Sequence, residues 1–119
     1  MRIIESLKHA LRGLKAVLKR ERNARVHTVF AVLALLASWF FHISSTQLIL
    51  VILAITLVFF AEIVNSAIEK TLDLISVENN QVVRIIKDIC AAAVLVTAAL
   101  AGVIAIIVFV PYIIRIFNK

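Results

Sequence analysis

Two long stretches of the chain contain no charged side chain, and they limit its fold more than any other feature. No Asp, Glu, Lys or Arg occurs at residues 26–61 or 89–114. A helix that crosses a bilayer needs about 20 apolar residues. The second stretch therefore fits one crossing, and the first is long enough for two, with a polar break at residues 42–47. The sequence predicts three transmembrane helices.

The composition excludes two classes of protein. Hydrophobic residues make up 63% of the chain and charged residues only 17%, which is far from the balance of a soluble globular domain. Only two glycines occur, Gly13 and Gly102, so a glycine-rich phosphate loop is excluded. Any phosphate site in this chain would depend on side chains and metal.

The segment before the first uncharged stretch has the period of an amphipathic helix. Its apolar face is formed by Ile3, Ile4, Leu7, Leu11, Leu14, Val17 and Leu18. Lys and Arg side chains occupy the opposite face. Such a helix is typical of the headgroup layer of an anionic membrane. The predicted fold is therefore an all-α membrane protein, in which one interfacial helix precedes three transmembrane helices.

We predict a single membrane-embedded domain. It covers residues 1–119, with the interfacial helix at about 1–25 and spans at about 26–42, 48–66 and 89–112. The second helix is expected to continue past the membrane to about Ile75, because no Pro or Gly interrupts it. Residues 78–81 predict a turn. Lys87 and Asp88 are expected to open the third span, and Pro111 is expected to weaken its far end.

The distribution of cations predicts the orientation. Those before the first span are Arg2, Lys8, Arg12, Lys15, Lys19, Arg20, Arg22 and Arg25. The loop between the first two spans has none, and the tail carries Arg115 and Lys119. By the positive-inside rule, the N-terminus and the loop between the second and third spans are expected in the cytoplasm.

The second predicted span ends in four polar side chains on one helix face. Glu62, Asn65, Glu69 and Asp73 fall within an arc of roughly 80° and extend over about 16 Å. We call these four residues the polar stripe. A carboxylate costs about 2.5–3.5 kcal/mol at the centre of a membrane helix and less near its surface. The stripe therefore indicates a functional site, where a counter-ion, a proton or a metal offsets this cost.

Three other interpretations of the polar stripe remain open from the residues alone. Glu62 and Asn65 could hold helices together, paired with Arg25 or Lys87. A cation-coupled transporter also uses carboxylates in membrane helices, although such sites lie near the bilayer midplane and the stripe lies at one helix end. A small polytopic channel or holin-like protein would need only three spans and a basic terminus.

Further charged residues lie at the same depth as the stripe. Glu21 is surrounded by cations in the segment ERNARVH, where it would ordinarily be a solvated ion-pair partner. Together with Glu69 it could supply a second carboxylate for Mg²⁺, which takes a few protein oxygens and substrate phosphates. Lys87 and Asp88 add a cation and a carboxylate before the third span.

These residues resemble the motifs of one known family. The segment AEIVNSAIE at residues 61–69, followed by Asp73 and by KDICAAAVL at residues 87–95, is similar to the prokaryotic diacylglycerol kinase family, which includes the undecaprenol kinases. The likeness extends over nearly the whole chain. Its most specific part is the pattern Glu-x-x-Asn-[Ser/Thr]-Ala-Ile-Glu-x-x-x-Asp on the second span.

The resemblance implies a homotrimeric lipid kinase of the bacterial inner membrane with no nucleic-acid partner. Such a kinase uses ATP and Mg²⁺ to phosphorylate the hydroxyl of undecaprenol or diacylglycerol, in phospholipid or lipid-carrier metabolism. By position, Glu62 corresponds to the general base, and Glu21 and Glu69 correspond to metal ligands. The residues implied to contact the nucleotide are Arg2, Glu21, Glu69, Asp73, Glu78, Lys87 and Asp88. Those implied to contact the lipid are Glu62, Asn65 and Arg25.

Some positions depart from the family pattern. His9 stands where a Tyr is frequent, and Asn79 and Asn80 stand where Tyr-His is common. These departures affect the details of nucleotide contact. The segment ERNARVH at residues 21–27 is more similar to the undecaprenol kinases, which favours undecaprenol as the acceptor.

Overall fold

A computed structural model describes residues 2–75 and 80–119, and within them four α-helices and no β-strand occur. The helices are α1 (Arg2–Arg20), α2 (Arg22–Phe41), α3 (Ser45–Ile75) and α4 (Gln81–Phe117). Of these, α2, α3 and α4 are long and apolar enough to cross a membrane. This confirms the predicted all-α fold of an N-terminal helix followed by three transmembrane helices.

The predicted interfacial helix is shorter than expected. It ends at Arg20 rather than near residue 25, because Glu21 adopts an extended backbone (φ −99°, ψ 115°). The guanidinium of Arg25 donates hydrogen bonds to the carbonyl oxygens of Leu18 (3.3 Å) and Lys19 (2.7 Å). These carbonyls lie in the last turn of α1, where helical partners are missing. Arg25 therefore stabilises a break that the helical period does not reveal.

Most of the apolar face of α1 is not covered by the rest of the chain, although Val17 and Leu18 near its end are half-buried. No residue of α1 is buried, and Ile3 is 83% exposed. A strongly amphipathic helix with an uncovered apolar face fits the interface of a membrane, as the sequence predicts.

The turn between α2 and α3 is closely hydrogen-bonded. His42 ends α2 in the left-handed conformation (φ 51°, ψ 51°). The backbone N–H of Gln47 donates to Ser44 Oγ (3.2 Å), and the N–H of Ser44 donates to Gln47 Oε1 (3.0 Å). This reciprocal pair is a capping box. Because the box starts α3 at Ser45, the break is shorter than the predicted residues 42–47.

Tyr112 connects this turn to α4. Its hydroxyl donates to Gln47 Oε1 (2.7 Å), and its ring stacks on Phe41 of α2 with the centroids 5.6 Å apart. These contacts hold α4 immediately after Pro111, and the helix continues to Phe117. The residues that we call the turn end are Phe41, His42, Ser44, Gln47 and Tyr112.

The central helix is α3, and its buried positions form one line along it. They are Val51, Ala54, Val58, Glu62, Asn65, Ser66 and Leu72. The line is apolar near the turn end and becomes polar at Glu62. As predicted, α3 continues to Ile75, which gives it a length of about 46 Å against a hydrocarbon core of about 30 Å. Its last turns therefore extend beyond the bilayer.

The last helix, α4, begins before the expected start of the third span. It starts at Gln81, where Asn80 Oδ1 accepts hydrogen bonds from the backbone N–H groups of Val82 (2.9 Å) and Val83 (3.4 Å). This side-chain cap starts the helix early, so Lys87 lies in its second turn rather than at its opening. Of the predicted turn at residues 78–81, Glu78 and Asn79 lie outside the described residues, whereas Gln81 is already helical, so the predicted turn extends one residue too far.

Candidate functional site

The far half of α3 buries three polar side chains. Glu62 is 1% exposed, Ser66 2% and Asn65 8%. Among the described residues, Glu62 Oε2, Asn65 Oδ1 and Ser66 Oγ find no hydrogen-bond partner. Each buried unpaired group costs about 1–3 kcal/mol, and a charged one costs more. Three of them within little more than one helical turn mark a place where a ligand could supply the missing bonds.

His27 of α2 faces the buried carboxylate. Its Nε2 lies 3.9 Å from Glu62 Oε2, which is too far for a direct hydrogen bond. The alternative partners considered for Glu62 are engaged elsewhere within the described structure. Arg25 binds the end of α1, and Lys87 binds Asp73. The buried carboxylate therefore has a nearby imidazole, but the two are not directly hydrogen-bonded.

The polar stripe becomes more exposed along α3. Glu69 is half-buried, and its Oε1 accepts a hydrogen bond from Asn65 Nδ2 (3.3 Å). The Asp73 side chain is 63% exposed, and its Oδ1 accepts from Lys87 Nζ (2.7 Å). This hydrogen bond raises the pKa of Lys87, which lies before the apolar part of the third span. The stripe therefore joins a buried carboxylate to a charged, water-accessible end.

The break between α1 and α2 places Glu21 close to the stripe. Its Oε1 lies 3.7 Å from Nζ of Lys70, the residue after Glu69. Glu69 lies two turns beyond Glu62 on the same face of α3, so Glu21, Glu62 and Glu69 place three carboxylates in this region. Repulsion among three carboxylates favours a cation in this region. The residues that we call the polar end are Glu21, His27, Glu62, Asn65, Ser66, Glu69, Lys70, Asp73 and Lys87.

Glu21 and Glu69 are suited to a hard metal ion. No group of three or more His, Cys, Asp or Glu side chains that could hold a metal occurs in the described part of the chain. However, Mg²⁺ commonly uses only one or two carboxylates when phosphates and waters supply its other ligands. A divalent cation would also relieve the carboxylate repulsion. Glu21 and Glu69 are therefore candidates to hold a Mg²⁺ ion that is bound together with a phosphate compound.

The other predicted site residues contact the polar end less directly or lie far from it. Arg2 lies at the far end of α1, about 28 Å from Glu21 along the helix. Asp88 is exposed on α4 and has neither an ion pair nor a hydrogen bond among the described side chains. Arg25 lies near Glu21, but its guanidinium is hydrogen-bonded to the α1 carbonyls. Glu78 and Asn79 lie outside the described residues.

The charge pattern did not single out two residues of the polar end. His27 lies in the uncharged stretch two positions after Arg25, and Ser66 follows Glu62 by one helical turn. Neither adds a formal charge at neutral pH, so neither interrupts the pattern that predicts the spans. The available signal was their polarity: His27 ends the polar segment at residues 21–27, and Ser66 shares a helix face with Glu62.

An apolar cavity of about 340 Å³ lies between α2, α3 and α4. Its wall includes Phe30, Val58 and Ala101, one from each helix, and His27 is the polar side chain among its lining residues. Val58 precedes Glu62 by one turn, so the cavity ends near the buried carboxylate. A second cavity of about 350 Å³, between α3 and α4, is lined partly by Asn65.

The polar end combines the elements of a reaction between an apolar alcohol and a phosphate compound. The cavity offers space for a hydrocarbon chain, Glu62 offers a proton acceptor at its end, and Glu69, Asp73 and Lys87 offer charged groups towards water. General-base chemistry needs such a carboxylate within reach of the hydroxyl. Phosphoryl transfer is promoted by cations and metal ions that neutralise charge on the phosphates.

Comparison with known proteins agrees with this chemistry. Residues 8–109 match the family described as prokaryotic diacylglycerol kinase. The chain is 32% identical over 110 residues to undecaprenol kinase of Bacillus subtilis, which covers 92% of this chain and 89% of the relative. It is 29% identical over 102 residues to diacylglycerol kinase of Haemophilus influenzae, covering 86% of each. It is 32% identical over 100 residues to diacylglycerol kinase of Escherichia coli K12, covering 84% of this chain and 82% of the relative.

Proposed function

Because the chain belongs to the prokaryotic diacylglycerol kinase family, we propose that it transfers the γ-phosphate of ATP, with Mg²⁺, to the hydroxyl of a membrane lipid. Membership in the family makes the protein a lipid kinase of a bacterial membrane. The phosphate donor, the metal and the acceptor lipid are parts of the proposal. The channel and transporter interpretations find no support in relatives that are named as lipid kinases.

The observation that supports the proposal most is the buried carboxylate of Glu62 beside an apolar cavity. A lipid hydroxyl lies at the edge of the hydrocarbon layer, and its proton must be accepted there. In the proposed reaction, Glu62 takes this proton and the hydroxyl oxygen forms a bond to the γ-phosphorus. The bond from that phosphorus to the bridging oxygen breaks, and ADP leaves with the electron pair.

The charged part of the polar end would bind the nucleotide. We assign Mg²⁺ to Glu21 and Glu69, where the bound metal would neutralise charge on the phosphates. Lys87 would contact phosphate oxygens, since Asp73 already holds its ammonium at 2.7 Å on this face. Asp88, Glu78 and Arg2 remain predicted nucleotide contacts, and Asn65 and Arg25 remain predicted lipid contacts.

We also propose a cytoplasmic N-terminus and a homotrimeric assembly. The excess of Lys and Arg before the first span supports this orientation, which gives the polar end access to ATP. The exposed apolar faces of the long helices leave room for neighbouring copies, for example at Phe60 and Val96. A neighbouring copy would also bring Arg2 to a nucleotide that Arg2 cannot reach along its own α1.

Among acceptor lipids, we propose undecaprenol ahead of diacylglycerol. Within the described part of the chain, His27 is the one polar side chain that lines the cavity. Undecaprenol brings one hydroxyl on a single hydrocarbon chain, whereas diacylglycerol adds two ester groups that would be buried without partners at a cost. The similarity to the Bacillus subtilis undecaprenol kinase supports the same choice.

The test is a phosphotransfer assay with the purified full-length protein in mixed micelles. ATP labelled at the γ-phosphate is supplied with Mg²⁺ and either undecaprenol or a short-chain diacylglycerol. We expect label in the lipid fraction, more with undecaprenol, and none when Mg²⁺ is chelated. No label on either lipid would overturn the proposed function. A preference for diacylglycerol would overturn only the choice of acceptor.

A further inference from the structure

The gap between His27 and Glu62 is too wide for a direct hydrogen bond and narrow enough for one hydroxyl oxygen to bond to both side chains. Nε2 and Oε2 are 3.9 Å apart. An oxygen atom that bonded to both would lie about 2.8 Å from each, which is a normal hydrogen-bond distance, and the Glu62 carboxylate, closed to water in this structure, would turn to admit it. A polar pair separated by more than 3.5 Å can be bridged by an oxygen atom, as ordered water does in many active sites. Glu62 Oε2 also lacks any partner among the described residues, so it has an acceptor position to fill.

The cavity leads an alcohol to this gap. His27 belongs both to the lining of the 340 Å³ cavity and to the pair with Glu62. The rest of that lining is apolar. On α3 the lining includes Val58, which lies one helical turn before Glu62. A hydrocarbon chain in the cavity would therefore carry its terminal hydroxyl towards the place where His27 and Glu62 approach each other.

We propose that His27 positions the acceptor alcohol, with its Nε2–H donating a hydrogen bond to the hydroxyl oxygen. The oxygen lies in the gap, and its own O–H points at Glu62 Oε2. During transfer the hydroxyl proton moves to Glu62, the oxygen bonds to phosphorus, and the Nε2 proton stays on His27. This assignment rests on the proposed function and adds to it a residue that the polar stripe does not contain.

A purely structural role for His27 predicts different geometry. A buried histidine that served only to neutralise Glu62 would close to about 2.8 Å, because an ion pair away from water needs direct hydrogen bonds. The observed separation leaves Oε2 unpartnered instead. The imidazole is also partly exposed to the cavity, with 20% of its side-chain surface accessible, whereas Glu62 is sealed.

The first test separates the alcohol from the nucleotide in the kinetics. His27→Leu removes the donor, and His27→Gln keeps an N–H donor of similar reach. We expect His27→Leu to lower kcat/KM for the alcohol by about tenfold or more, with the KM for ATP unchanged, and His27→Gln to recover most of the loss. His42→Asn, which suits the left-handed backbone at that position, is the matched control at the turn end and should match wild type.

The outcomes of this assay are distinct. Equal losses in His27→Leu and His27→Gln, or a loss that falls on the KM for ATP, would overturn the positioning role. So would a His27→Leu variant with wild-type kinetics towards the alcohol.

The second test needs neither catalysis nor a variant that must fold. Wild-type protein with ¹⁵N-labelled histidine is titrated in micelles with a C15 isoprenoid alcohol, without ATP. We expect the Nε2 resonance of His27 to shift, while those of His9 and His42 stay in place. The C15 hydrocarbon without the hydroxyl should leave the His27 resonance unmoved. An unmoved His27 with the alcohol, or an equal shift with the hydrocarbon, would overturn the proposal.

The two tests also keep this proposal apart from the proposed function. If the wild-type protein phosphorylates no lipid, the kinase assignment fails, and the resonance of His27 still decides whether a hydroxyl occupies the gap. If phosphotransfer proceeds and His27 does not sense the alcohol, only the role of His27 fails.

Discussion

The two ends of the bundle differ in how completely their polar groups are hydrogen-bonded. At the turn end, Gln47 bonds the N–H of Ser44 and the hydroxyl of Tyr112, and its own N–H reaches Ser44 Oγ. At the polar end, Glu62 and Asn65 each keep a buried oxygen for which the described residues provide no partner. One end is closed by its own hydrogen bonds, and the other is open to a ligand.

The open end therefore lowers the stability of the fold at the place where a ligand could bind. Native proteins pair nearly all buried polar groups, and exceptions concentrate at sites that bind or react. The turn end follows the general rule, so its residues are expected to determine stability and leave the reaction unaffected. The polar end departs from it, so its residues are expected to determine the reaction.

The largest effect is expected from Glu62→Gln. The substitution keeps the shape of the side chain and removes the proton acceptor, so kcat should fall by about 100-fold or more. Since a buried charge disappears, the protein should be no less stable. Initial rates in mixed micelles and thermal unfolding followed by circular dichroism check the two parts. Glu5→Gln, on exposed α1, is the matched control; wild-type rates in Glu62→Gln would break the comparison.

Glu69→Gln should change the metal requirement. Removing one of two carboxylates that we assign to Mg²⁺ should raise the Mg²⁺ concentration for half-maximal activity by about tenfold, because the charge that attracts the ion is reduced. A Mg²⁺ titration at saturating ATP and lipid measures this. An unchanged titration curve together with a lower maximal rate would remove Glu69 from the metal site.

At the turn end, Gln47→Ala should lower stability and leave activity almost unchanged. It removes the capping box and the partner of Tyr112, which should cost about 1–2 kcal/mol of unfolding free energy. Kinase activity of the folded protein should stay within about twofold of wild type, since this residue lies far from the polar end. Unfolding in a denaturing detergent and rates at low temperature provide the two readings. Lost activity in folded Gln47→Ala would contradict the division of roles.

The smallest effect is expected from Tyr112→Phe. It deletes one hydroxyl and keeps the ring that stacks on Phe41, so the loss should be about 0.5–1.5 kcal/mol. The same unfolding experiment measures it. Combined with Gln47→Ala, it should add little, because both changes remove the same hydrogen bond. Full additivity would show that the bond contributes nothing.

Much of the fold could be predicted because charge and helix breakers are visible in one dimension. The uncharged stretches predicted three spans, and the lack of Pro and Gly predicted that α3 reaches Ile75. The end of α1 at Arg20 could not be predicted, because a tertiary hydrogen bond from Arg25 stabilises the break and no glycine or proline marks it. The start of α4 was predicted too late for a similar reason, because the side-chain cap at Asn80 starts the helix and the hydrophobic pattern does not reveal it.

The site shows the same limit. Helical spacing was enough to place Glu62, Asn65, Glu69 and Asp73 on one face, with exposure rising along it. The approach of His27 to Glu62 depends on how α2 packs against α3, and no periodicity within one helix contains that information. The roles of Glu21, Lys87 and the other predicted nucleotide contacts came from family resemblance and stay predictions.

The position of the metal–nucleotide complex on the molecule distinguishes the polar end from the turn end. Mn²⁺, a paramagnetic substitute for Mg²⁺, is added with ATP to ¹⁵N-labelled protein in micelles, and the broadening of amide signals is compared between the two ends. Glu69 and Gln47 are about 33 Å apart along α3. We predict strong broadening at Glu21 and Glu69 and none at Gln47 and Tyr112. Broadening centred on the turn end, or equal at both ends, would contradict the account.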